Sequence, residues 1–336
     1  MKRLFALLCG IAWAGVSGAV GAAAYSSLYI FGDSLSDVGN NFIALGGATT
    51  PVSQISNTFV PTFPYASGHY TNGDIWAQSF ASMLKLSDPV TPSLLGGNDF
   101  AFGGARTSPQ IPAPPPPVVP TLTEQKAAFL ARVNNVAPSS ALYVVAGGGN
   151  NARDAAIAIL SGADRTTTIT DAVNTYATDI AGIVHDLEVD GAQHIVVWNV
   201  PDIGKTPAVL SFGQAASAEA STLVSLMNGG LQAALGNDDH VKVFDLFGTV
   251  DDAVNHPDKY GLANMTDACG QFPIGTGVGE CDPSKYLFWD GIHPTSGGHQ
   301  LIADALFRTV VPEPTVFALV VPGVVLVALI RRRSRT

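Results

Sequence analysis

The sequence predicts a single α/β domain built on a parallel sheet, and three observations carry that prediction. Short apolar runs rich in Val, Ile and aromatics recur along the chain: "SLYIF" (27–31), "DFAF" (99–102), "ALYVVAG" (141–147), "HIVVWNV" (194–200) and "VKVFDL" (241–246). Runs of this length without polar alternation fit strands covered on both faces. Between them lie amphipathic segments at 74–86, 123–135, 171–189 and 217–235, with a last one starting near Ser296. Strand and helix alternating at this rhythm describe a parallel sheet wrapped by helices. Residues 25–310 also supply enough chain for one large core. Two segments break the rhythm. Residues 44–73 are rich in Gly, Ser, Thr and Pro, with Phe63, Tyr65 and Tyr70 interspersed, and "PQIPAPPPPVVP" (109–120) reads as a polyproline-like loop. The three aromatics either line a pocket or pack a loop.

Both ends of the chain read as addresses rather than fold. Lys2 and Arg3 precede an apolar run from Leu4 to Val16, and small residues end in Ala22-Ala23-Ala24. That pattern is a secretory signal peptide over residues 1–24. At the other end, "VPEP" leads into fifteen apolar residues, Val316 to Ile330, followed by "RRRSRT". As a helix at ~1.5 Å per residue those fifteen reach only ~22 Å, short of a ~30 Å hydrocarbon core. Residues 311–336 resemble the PEP-CTERM sorting signals of Gram-negative bacteria. The resemblance implies transient membrane insertion, recognition by an exosortase-type protease, and delivery to the envelope, the cell surface or the medium. A plain C-terminal anchor is the alternative, and either reading exports the domain.

Setting aside Lys2, Arg3 and the four tail arginines leaves 11 basic residues, against 26 acidic ones without Glu313, a net charge near −15. Such a domain lacks the basic footprint of a nucleic-acid binder. Two cysteines remain, Cys269 and Cys281, in a glycine-rich stretch. In an oxidising compartment the pair reads as a disulfide closing a local loop. With two thiols and no C-x-x-C spacing, neither a metal nor a cofactor is expected.

Four short segments carry the chemistry. In "YIFGDSLSDVGN" Ser34 follows a strand-like run, where its hydroxyl and its own N–H can face the space above the sheet. Taken alone, Ser34 reads first as a helix N-cap. There is no G-x-S-x-G elbow, which argues against an ordinary α/β-hydrolase. In "FWDGIHPTSGGHQ" Asp290 and His293 are three apart on a turn, close enough for the carboxylate to hold the imidazole in one tautomer. "VVAGGGNNARD" offers glycines and the Asn150 carboxamide at a strand end, a suitable donor to a developing oxyanion. "FAFGGARTS" adds a Gly-Gly pair that frees a backbone N–H to approach a ligand. Each segment alone is an ordinary turn. Together they supply a nucleophile, a base, an orienter and oxyanion donors.

In this order, "FGDSLSDVGN", "FAFGGA", "GGGNN" and "DGIHPT" resemble the ordered blocks of the GDSL, or SGNH, hydrolases. Further similarity to the lipase-like branch lies in "YTNGDIWAQSFA", "VPDIGKTP" and "VFDL". The resemblance implies a three-layer α/β/α, flavodoxin-like fold and carboxylic ester hydrolysis. It makes Ser34 the nucleophile, His293 the base and Asp290 its orienter. The oxyanion hole would combine the N–H groups of Ser34 and Gly104 with the Asn150 amide, Gly103 being a one-residue alternative to Gly104. Asp33, Asp37 and Asn40 would organise the first turn. One position departs from the family pattern: Asn151 stands where an aspartate is usual, which bears on local hydrogen bonding. Sorting signals of this kind accompany extracellular polysaccharide, which leans toward glycan or small acyl esters. A phospholipase, lipase or acyltransferase of the same fold is the alternative, and a catalytically silent surface or matrix-binding protein is the reading from another class.

Overall fold

The computed structural model describes residues 25–44, 46, 65–66, 68–109, 119–270 and 281–311. The expected signal peptide, almost all of the sorting segment, Phe63 and most of the proline-rich run lie outside the described residues. In chain order the elements are β1 (Leu28–Gly32), α1 (Asn40–Ala44), α2 (Trp76–Met83), α3 (Leu122–Arg132), β2 (Leu142–Ala146), α4 (Gly149–Leu160), α5 (Arg165–Val189) and β3 (Ile195–Trp198). They continue with α6 (Pro207–Leu210), α7 (Gln214–Leu235), β4 (Val241–Phe244), α8 (Leu246–Asn255), β5 (Asn264–Ala268), β6 (Tyr286–Phe288) and α9 (Ser296–Val310).

Strands β1 to β4 pair in parallel in that order, with Ile30 beside Val144 and Val144 beside Val196. Successive side chains on a strand point to opposite faces, and the two faces fill separate cores. Phe31, Tyr143, Val145, Ile195 and Val197 pack toward α3, α5 and α7, whereas Ile30, Leu142, Val144, Val196 and Trp198 pack toward α2 and α9. Helices therefore cover both faces, which gives the three layers and explains why β1 to β3 read as unbroken apolar runs, whereas β4 at the edge carries the exposed Lys242.

The fifth expected strand, 99–102, forms only a bridge beside β1. The N–H groups of Phe100 and Phe102 donate to Ile30 and Gly32 carbonyls at 2.8 and 3.2 Å, so the segment still runs along β1 on the side away from β2. On its outer edge the Asn40 amide takes the carbonyls of Asp99 and Ala101, and the Asp99 carboxylate accepts from Ala101 N–H. With the backbone bonds of Asp99 to Thr91 and Ser93, those side chains satisfy the edge that a further strand would have paired. Counting this segment as the second run, the spatial order becomes 2-1-3-4-5, the flavodoxin-like order. Such sheets bind ligands beyond the carboxyl ends of the strands where the winding reverses, here the ends of β1 and β2.

Candidate active site

Ser34 lies just beyond the carboxyl end of β1. Gly32 is required there, since a Cβ would lie 2.7 Å from the Ala146 carbonyl oxygen. Gln125 of α3 clamps the same glycine, its amide bonding both the Gly32 N–H and carbonyl at 2.8 and 2.9 Å. The chain then makes one helical turn, with Ser36 and Asp37 N–H groups donating to the Asp33 carbonyl. Asp33, not Ser34, caps that turn by accepting from Leu35 N–H at 3.0 Å. The N-cap role thus falls to the neighbour, and the serine hydroxyl is left to interact elsewhere.

Its partner is His293, whose Nε2 lies 2.8 Å from Ser34 Oγ. His293 Nδ1 lies 2.7 Å from Asp290 Oδ2. A buried carboxylate only accepts, so Nδ1 carries the proton and the neutral ring offers the Nε2 lone pair to the serine hydroxyl. Asp290 Oδ1 accepts from the Ile292 and His293 N–H groups at 2.8 and 2.6 Å. Burial pushes the Asp290 pKa up, but the attraction of His293 when it is protonated, its N–H and the backbone donors outweigh burial and hold it below the ordinary carboxylate range. The carboxylate is therefore charged when the imidazole needs it. The turn is fixed from outside by the small β5–β6 sheet, through Cys269 N–H to Phe288 O and Gly270 N–H to Trp289 O. Cys269 and Cys281 are joined by a disulfide, with Cα atoms 5.6 Å apart, so the expected pairing is present.

The glycine pair after 99–102 resolves into two different roles. Gly103 N–H donates to Asp37 Oδ2 at 2.9 Å and is occupied. The Gly103 carbonyl accepts from Asn41 Nδ2 at 2.7 Å. In a trans peptide the next N–H points opposite to that carbonyl, so Asn41 aims the Gly104 N–H away from itself. Gly104 sits at φ +83°, which only glycine adopts freely. Its loop is tied to the start of α4 by three links: Asn150 Nδ2 to Ala105 O at 3.0 Å, Asn151 to Thr107, and the Arg106–Asp154 ion pair. Asn151 bonds both the N–H and the hydroxyl of Thr107, so the amide that departs from the family pattern has a structural place. Asn150 itself keeps a second amide hydrogen beyond the Ala105 bond.

Ser34, Asn150 and His293 line one cleft of about 370 Å³. It leads from the serine between α4, α6 and α7, and its walls are mainly apolar, with Ala156, Ile159, Val209, Ala220 and Leu223 among them, beside Arg153, Asp202 and Glu219. Ile157, Leu160 and Phe212 at its rim are 44, 58 and 67% exposed, large apolar surfaces left facing solvent. Asp33 also lines the cleft, and burial raises its carboxyl pKa to about 6. Asp37 does not; it caps α1 through Gly39 and Asn40 N–H groups, and Asn40 braces the 93–101 loop, as the organising roles expected of them require.

Among sequence-predicted residues, the structure brings Ser34, His293 and Asp290 into one hydrogen-bonded chain with Asn150 at the same cleft. Sequence reasoning missed Gln125, Arg106, Asn41 and the aliphatic cleft. Tyr65 and Tyr70, left open between pocket and packing, both turn toward the Asp290–His293 pair: Tyr65 O–H reaches Asp290 Oδ2 at 2.7 Å, and the Tyr70 ring lies 5.2 Å from the His293 ring.

Known esterases and lipases are similar to this chain. Esterase EstA of Pseudomonas aeruginosa is 29% identical over 313 residues, covering 83% of this chain and 46% of that protein. Lipase 1 of Photorhabdus luminescens is 30% identical over 234 residues, covering 68% of this chain and 31% of the other. The chain thus spans half or less of these relatives' own length. A solved lipolytic G-D-S-L protein of Veillonella parvula aligns over 84% of this chain and 97% of its own, at 13% identity and a TM-score of 0.43. The family model described as GDSL-like Lipase/Acylhydrolase matches residues 28–306. With that match spanning the sheet and the cleft, the chain belongs to the GDSL-like lipase/acylhydrolase family.

Proposed function

We propose that this chain is an exported carboxylic ester hydrolase that works through an acyl-enzyme on Ser34. The reading is carried by the 2.8 Å contact between Ser34 Oγ and His293 Nε2, backed by Asp290. His293 takes the hydroxyl proton as Oγ attacks the ester carbonyl, and the Nδ1–H bond to Asp290 stabilises the imidazolium that forms. The N–H groups of Ser34 and Gly104 and the Asn150 amide receive the oxyanion. The imidazolium then protonates the leaving alcohol, and water deacylates the serine by the same route in reverse. Export follows from the terminal sorting patterns.

Asn150→Ala is expected to lower kcat by about 10²–10³-fold with KM within a few-fold, the loss typical of one oxyanion donor. Steady-state kinetics check this, and a loss below a few-fold removes Asn150 from the hole.

The cleft favours an aliphatic acyl group over the small or glycan-linked acyl groups that the sorting signal suggested. Its volume of about 370 Å³ and its aliphatic walls far exceed what an acetyl group fills. Each buried methylene contributes about 0.8 kcal/mol, roughly a four-fold gain in kcat/KM per carbon while the chain still contacts wall. Across p-nitrophenyl acetate, butyrate, hexanoate and octanoate, kcat/KM should therefore climb steeply. A profile that peaks at acetate, or efficient deacetylation of an acetylated glycan, would favour the glycan-ester reading instead. Labelling of Ser34 by a fluorophosphonate separates either enzyme from a silent binding protein.

A further inference from the structure

We infer that Tyr65 is a positioning residue of the triad, whose hydroxyl shares Asp290 Oδ2 with His293 and sets the proton affinity of the imidazole; the inference rests on the ester-hydrolase reading above. Asp290 is 1% exposed, so water does not complete its hydrogen bonding. Its four contacts are the Ile292 and His293 N–H groups on Oδ1, and His293 Nδ1 and Tyr65 O–H on Oδ2, the last two both at 2.7 Å. Tyr65 arrives from 225 positions upstream. Its ring is held edge-on to Trp289 at 6.5 Å and 82°, in a small cluster with Tyr70 and Cys269. A phenylalanine would fill that cluster equally well. The hydroxyl therefore serves the carboxylate, since burying it without a partner would be costly.

Two consequences follow. With Oδ1 held by the backbone and Oδ2 by Tyr65, the carboxylate plane cannot rotate away from the imidazole. The phenol also draws off charge from the oxygen that faces Nδ1–H, which lowers the affinity of His293 for a second proton. Removing the hydroxyl concentrates the charge on that contact and favours the imidazolium. The acid limb of activity, which reports neutral His293, then moves to higher pH. The other groups facing the ring are unchanged by that substitution: Ser34 and Asp33 from the turn after β1, the Tyr70 ring, and His299 from α9.

The test is the pH dependence of the second-order rate of fluorophosphonate inactivation, which needs no knowledge of the natural ester. Tyr65→Phe keeps the ring and should raise the acid-limb pKa by about 0.5–1 unit, roughly half of the ~1–2 units that one donor lost from a charged acceptor is worth to the acceptor itself. Its rate at the optimum should fall by roughly ten-fold, since the carboxylate is less firmly aimed. Site-specific replacement of Tyr65 by 3-fluorotyrosine makes a stronger donor of the same shape and should move the limb down. Opposite shifts in the two variants carry the inference, and the fluorotyrosine protein decides alone if Tyr65→Phe does not fold. A limb coincident with wild type in either folded variant overturns it, even where the rate has dropped, because packing alone then explains the residue. If wild-type Ser34 is not labelled at any pH, the hydrolase reading itself has failed.

Discussion

Ser34→Ala is expected to eliminate ester hydrolysis, with kcat falling by on the order of 10⁶-fold, the scale seen when the nucleophile of a catalytic triad is removed. The cleft, Asn150 and the backbone donors survive the substitution, so a residual rate of ~10³ over water is expected from binding and oxyanion stabilisation alone. The fold should barely notice. The hydroxyl's recorded bond is the one to His293 Nε2 at 2.8 Å, and a typical hydrogen bond contributes about 0.5–1.5 kcal/mol net. In a domain of this size that corresponds to a change of only a few degrees in Tm. Hydrolysis of p-nitrophenyl octanoate and scanning calorimetry, run on the same preparation, make the comparison. Wild-type turnover in the variant would end the assignment of Ser34. A large fall in Tm would instead mean that the hydroxyl supports the turn after β1.

The sheet was legible because its physics is local. Four of the five apolar runs became strands, and the lack of alternation in β1 to β3 correctly implied a sheet buried on both faces, whereas edge strand β4 exposes Lys242. The fifth run kept its place beside β1, bonding Ile30 and Gly32, while its other edge is met by the Asn40 side chain and by the backbone of Thr91 and Ser93 rather than by a full strand. Helix α4 was hidden behind glycines: Gly148 at φ +108° forms its N-cap, and a Cβ there would lie 2.5 Å from Tyr176. Three glycines in a row read as a turn, although the helix begins at the third. The short strands β5 and β6 carry no strong pattern, being held mainly by hydrogen bonds to the turn they support.

The grouping of Ser34, His293 and Asp290 was readable because Asp290 and His293 share one turn and Ser34 follows a strand. What surrounds the triad was not, since each contact joins residues far apart in the chain. Gln125 reaches Gly32 across 93 positions and Tyr65 reaches Asp290 across 225. The cleft has the same origin. Ala156 on α4, Val209 on α6 and Ala220 on α7 are unremarkable on their own helices, and they form a wall only when α5 and the loop after β3 bring those helices together.

Asp290→Asn should cost about 10⁴-fold in kcat, the scale of amidating the aspartate of a serine triad, and the hydrogen-bond pattern dictates how. Oδ1 accepts two backbone N–H groups at 2.8 and 2.6 Å, so the oxygen of the asparagine must occupy that position. The NH₂ group is then forced into the place of Oδ2, facing His293 Nδ1 and the Tyr65 hydroxyl. The phenol can rotate to accept; the imidazole can accept only by moving its proton from Nδ1 to Nε2. In that tautomer Nε2 donates toward Ser34 Oγ and can no longer take its proton. The backbone stays in place, substrate binding is preserved, and the loss falls on kcat rather than KM. Nitrogen-15 NMR of the His293 ring reads the tautomer directly: protonated Nδ1 in the wild type, protonated Nε2 in the variant. A variant that loses activity while keeping Nδ1 protonated would show that Asp290 acts by its charge alone, and one that keeps wild-type kcat would remove it from the triad.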